Sequence, residues 1–116
     1  SYHPERLADN FYLSDAVEAV ARDWGLNDDP ACRRAVNHSR VLDLQLGIKN
    51  VCLGPLSFRQ RTAWLRQALR IPAVRAAVRD MPLQDARSCN DRIKLALLKV
   101  RLCAVVIALS SWNNRR

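Results

Sequence analysis

Residues 29–53, DPACRRAVNHSRVLDLQLGIKNVCL, decide how the rest of the chain must be arranged. Asp29 directly before Pro30 reads as a helix N-cap followed by proline at the first helical position, where a missing N–H does no harm and the fixed φ already suits a helix. Gly54-Pro55 stops the helix at its other end. Between these signals Cys32, Ala35, Val36, Val41, Leu42, Leu44, Leu46, Ile48, Val51, Cys52 and Leu53 surround the axis almost completely from Val41 onward. A helix that is apolar on all sides has to be covered on all sides, so this one is expected at the centre of the fold.

The flanking segments supply the cover. Upstream, residues 4–24 place Leu7, Phe11, Leu13, Val17, Val20, Ala21 and Trp24 at helical spacing, with Pro4 suited to a first position and Gly25 to a C-terminal cap. Ser14, followed by Asp15 and Glu18, reads equally as a restart after a kink, so one helix or two fit. Downstream, Ser57 with Gln60 forms a capping box ahead of Phe58, Trp64, Leu65, Ala68 and Leu69, and Pro72 opens a short helix that Met81-Pro82 ends. After a loop over residues 83–90, Ser88 with Asp91 caps a final helix, residues 91–112, DRIKLALLKVRLCAVVIALSSW. Its apolar positions circle the axis, with Lys94 and Arg101 on one side and Lys99 interrupting another. The expected architecture is all-α: a compact bundle of about four to six helices in a single domain, closed by a long basic-apolar C-terminal helix. Leu42, Leu46, Trp64, Leu65, Leu98 and Leu102 are expected in its core.

Composition narrows the function. A chain of 116 residues buries roughly two-thirds of its unfolded surface, enough for one modest core but not for a large catalytic sheet. Only three glycines are present, and no phosphate-cradling GxGxxG or GxxxxGK[ST] occurs. Cys32, Cys52, Cys89 and Cys103 lack zinc-ligand spacing, and the opening SYHPERLADN has no apolar leader, so they read as reduced thiols packed in a cytoplasmic protein. His3 and His38 have no partner at ligand spacing. The net charge of +8 is unevenly placed: residues 1–50 carry eight acids and six bases, residues 51–116 three acids and thirteen bases. Such a field attracts nucleic acid, anionic lipid or an acidic protein face.

An independent active site finds few candidates. Asp28 and Asp29 are explained by a turn and a cap, Ser110 and Ser111 are followed only by Trp112, Asn113 and Asn114, and Asp43, Asp80, Asp85 and Asp91 do not form a metal motif. No catalytic, cofactor-binding or metal-ligating residue is therefore assigned. A nucleic-acid-binding module would rely on Arg59, Gln60, Arg61, Thr62 and Arg66 as a recognition face. A membrane or anion contact would use Arg92, Lys94, Lys99 and Arg101 before, and Trp112, Arg115 and Arg116 after, an uncharged stretch of eleven residues. That stretch measures about 16 Å against a hydrocarbon core of about 30 Å, so it suits an interface and does not span.

The order of these segments resembles a known arrangement. SYHPERLADNFYLSDAVEAVARDWG, PACRRAVNHSRVLDLQLGIKNVCLGPLSFRQRTAWLRQAL, RIPAVRAAVRDMP and RIKLALLKVRLCAVVIALSSWNNRR together look like the C-terminal helical region of bacterial family 2 glycosyltransferases of surface polysaccharide biosynthesis. The likeness lies in pattern across nearly the whole chain. It implies an upstream GT-A catalytic domain in the same polypeptide, which uses a nucleotide sugar and a divalent cation through a DxD motif. This chain contains no DxD. The resemblance therefore implies a non-catalytic accessory role for a C-terminal piece of a larger transferase, cytoplasmic and peripheral at the inner face of the plasma membrane.

Overall fold

The computed structural model describes residues 11–114, and for residues 113 and 114 the backbone alone. The chain forms α1 (Tyr12–Asp23), α2 (Pro30–Leu53), α3 (Phe58–Ala68), α4 (Pro72–Asp80), a 3-10 turn (Leu83–Asp85), α5 (Cys89–Lys99) and α6 (Cys103–Asn114). Six helices and no strand occur among the described residues, so the fold is all-α. Residues 1–10, which hold the expected helix start at Pro4, lie outside the described residues.

Local chemistry sets the helix starts. The Asp29 carboxylate accepts from the Cys32 N–H at 3.0 Å with Pro30 at the first position of α2. Ser57 and Gln60 satisfy one another's backbone N–H groups ahead of α3, at 3.2 and 3.0 Å. Ser88 Oγ accepts from the Asp91 N–H at 3.1 Å to start α5.

As expected, α2 is the central helix, packing against α1, α3, α4 and α6. Val36, Val41, Leu44, Ile48 and Cys52 carry its buried side. Around them close Trp64 and Leu65 of α3, Val74 and Val78 of α4, Leu95 and Leu98 of α5, and Val106 and Ile107 of α6. One contact depends on a glycine. Gly47, inside α2, lies under the Trp64 indole so closely that an added Cβ would stand 2.5 Å from Cη2 and 2.9 Å from Cζ2.

The long C-terminal helix is not formed; the segment is two helices, α5 and α6, joined at residues 100–102. Arg101 has φ +60°, its N–H donates to the Leu98 carbonyl at 3.0 Å, and the Leu102 N–H donates to the Leu97 carbonyl at 3.0 Å. This is a Schellman cap, a helix-stopping pattern whose left-handed position is usually glycine. The same geometry ends α1, with Gly25 at φ +72°, Gly25 N–H on the Arg22 carbonyl and Leu26 N–H on the Ala21 carbonyl. Gly25 announced its cap in the sequence; an arginine in that role gave no signal. Arg101→Gly should relieve the left-handed strain and raise stability by about 0.5–1 kcal/mol, net of the entropy that glycine adds to the unfolded chain. A urea midpoint unchanged or lowered would show that the arginine side chain itself holds the joint.

The core expectations divide. Trp64, Leu65 and Leu98 are buried. Leu42 is half-buried, Leu46 is 51% exposed, and Leu102 is 48% exposed. The broken helix explains Leu102, which sits in the joint. Leu42 and Leu46 face a cavity between α2 and α5.

Candidate functional site

The first helix is turned over relative to its apolar pattern. Leu13, Val17, Val20 and Trp24 fall within about 60° of one another around the α1 axis, and all four are exposed, Trp24 by 77% and Leu13 by 67%. The opposite side of α1 faces α2 and is largely polar. Arg40 of α2, its side chain only 4% exposed, donates from Nη1 to Asp15 Oδ1 at 2.7 Å and from Nη2 to Glu18 Oε2. Arg33 Nη1 donates to Glu18 Oε1 at 2.9 Å. The Ser14 N–H donates to Asp43 Oδ2 at 3.1 Å, and Ser14 Oγ donates to the Phe11 carbonyl. Phe11 and Ala21 are the apolar anchors on this side.

Burial pushes the Glu18 carboxyl upward, but hydrogen bonds and charge from Arg33 and Arg40 outweigh it and hold the group below its ordinary value. Burial likewise works against the charged Arg40, and its bonds to Asp15 and Glu18 more than compensate. The result is a helix fastened by charge on its inner side that leaves an apolar stripe in water, the reverse of an ordinary surface helix.

The cations at the C-terminal end are not gathered into one patch. Arg92 and Arg101 are exposed, while Lys94 is half-buried in the wall of the cavity between α2 and α5. Lys99 Nζ donates to the Val78 and Arg79 carbonyls at 2.8 and 2.9 Å, binding the C-terminal end of α4 to α5. Burial lowers the Lys99 pKa, offset in part by Asp80. Lys94 and Arg101 share no helix face, because the joint separates them. Trp112 is 59% exposed on α6, and Arg115 and Arg116 lie outside the described residues.

The proposed recognition face on α3 is largely engaged internally. Gln60 closes the capping box, Thr62 Oγ1 donates to the Phe58 carbonyl at 2.9 Å, and Arg61 donates to the Gly54 carbonyl and to Ser111 Oγ, both at 3.0 Å. Arg59 and Arg66 alone of that set remain exposed with no such bond. Among the described residues no group of three or more His, Cys, Asp or Glu is placed to hold a metal ion. No helix among them is long and apolar enough to cross a membrane.

Comparison with protein-family models, with curated proteins and with solved structures finds no match for this chain. The outward stripe of α1 was missed in sequence because a 4-3-4 apolar spacing ordinarily marks the inner face. The signal that finds it is electrostatic: acids at 15 and 18 on one helix, matched by bases at 33 and 40 on the next.

Proposed function

We propose that the chain is a non-catalytic helical accessory domain that docks, through the outward face of α1, on the catalytic domain of a nucleotide-sugar-dependent glycosyltransferase of the family 2 type. The observation that carries docking is the exposed stripe of Leu13, Val17, Val20 and Trp24, apolar surface of the kind that stable interfaces cover. The aromatic Trp24 at the end of the stripe is the residue type that most often anchors such contacts. The glycosyltransferase setting rests on the sequence resemblance alone.

Attraction to an anionic membrane surface is a weaker part of this reading. Each cation that reaches such a surface contributes about 1 kcal/mol. With Lys99 bound to α4 and Lys94 in a cavity wall, Arg92 and Arg101 remain for that role among the described residues.

The reading frame encoding the chain tests the setting: a region with βαβ pattern and a DxD motif in the same polypeptide supports it, and a frame without one overturns it. Given that domain as a separate protein, the Val17→Gln, Val20→Gln double variant should associate at least about tenfold more weakly while its circular dichroism is unchanged. Titration calorimetry of the isolated chain with UDP- and GDP-sugars plus manganese is expected to be flat. A saturable micromolar response would assign nucleotide-sugar binding to the chain itself.

A further inference from the structure

The cavity between α2 and α5 has the chemistry of a ligand site. It measures about 220 Å³, about half again the ~150 Å³ of an engineered cavity that takes up benzene. Its apolar wall includes Leu42 and Leu46 of α2 and Leu98 of α5, which accounts for two core-type leucines standing open on the central helix. Its charged wall holds Lys49, Arg87 and Lys94 against the single carboxylate of Asp91, with His38 beside them. Lys49, Arg87 and Lys94 form no ion pair among the described residues.

Charge decides which ligand fits. Three cations with no ion partner among the described residues, set against one carboxylate beside an apolar wall, suit a molecule that brings a negative head and an apolar body.

We propose that this cavity binds a small anionic amphiphile, with a short apolar body against Leu42, Leu46 and Leu98 and a carboxylate or phosphate held by Lys49, Arg87 and Lys94. The site is independent of the α1 face and stands or falls separately.

Octanoate and octyl phosphate are the probes, titrated calorimetrically into the intact chain. Saturable one-to-one binding of at least one of them is expected, and the stronger of the two identifies the head group. Octanol and octylammonium should bind at least about tenfold more weakly, and inorganic phosphate likewise, since each lacks one half of the recognised chemistry. Lys49→Gln with Lys94→Gln should weaken binding about tenfold, on the scale of lost charge-assisted bonds. Flat titrations with both anions overturn the proposal, as does equal affinity for octanol and octanoate. So does a double lysine variant that stays folded by circular dichroism and binds as the parent does.

Discussion

Gly47→Ala should destabilise the chain by about 2 kcal/mol, against the ordinary preference of a helix for alanine. In an exposed helix this change gains about 1 kcal/mol. Here the new Cβ would meet the Trp64 indole at 2.5 and 2.9 Å, distances that force the ring or the helix to move. Trp64 is 4% exposed and held among Leu44, Leu65 and their neighbours, so it has little room to retreat. Overpacking of this kind typically costs about 1–3 kcal/mol, which outweighs the propensity gain. Trp64→Leu alone should cost about 3 kcal/mol through the cavity it leaves. In that background the sign of Gly47→Ala should reverse, because the clash is gone and only the propensity remains. Urea unfolding of the four proteins measures the coupling. A Gly47→Ala change that stabilises the parent would show that the indole does not rest on this glycine.

Arg40→Ala should detach α1. The guanidinium is almost wholly buried and serves two carboxylates, so its removal leaves Glu18, 22% exposed, with Arg33 alone. Asp15 is 60% exposed and contributes little, since water screens it. About 2–4 kcal/mol is expected for the lost buried bonds, the upper end applying if Phe11 leaves the core with the helix. Amide exchange across residues 12–23 should accelerate while α2 to α6 keep their protection. Acid should do the same reversibly. Glu18 has a folded-state pKa below its ordinary 4.5, so its contribution is present in full above pH 4.5 and is lost as the pH falls through the lowered value. The acid step in α1 exchange should be much reduced in Arg40→Ala. Exchange in α1 that ignores both the substitution and the pH would mean that Phe11, Ala21 and the Ser14–Asp43 hydrogen bond hold the helix without the Arg40–Glu18 pair.

What the sequence made legible was local. Asp29-Pro30, Ser57 with Gln60, and Ser88 each satisfy helix-end N–H groups within three residues, so spacing alone found α2, α3 and α5. The all-round apolar run after Val41 placed α2 at the centre for the same reason. What stayed hidden depends on partners distant in sequence. The stop at Arg101 uses an ordinary arginine in a glycine's conformation. The inversion of α1 follows from Arg33, Arg40 and Asp43 being on its inner side, a tertiary fact that overrides the apolar spacing. The cations from Arg92 to Arg101 form one group along the sequence, yet the carbonyls of Val78 and Arg79 take Lys99 and the cavity takes Lys94.

The outward stripe of α1 also has a calorimetric signature. The heat capacity of unfolding comes mainly from apolar surface newly wetted, on the order of 1.5 kcal/mol/K for a chain of this length. Leu13, Val17, Val20 and Trp24 are wet before unfolding begins, so they add little to that increment, and the stability curve is flatter than chain length alone implies. A partner that covered the stripe would bind with a negative heat capacity change, so its binding enthalpy would become more favourable on warming. Such an interface would divide between folding and assembly a heat effect that an ordinary domain of this size shows in folding alone.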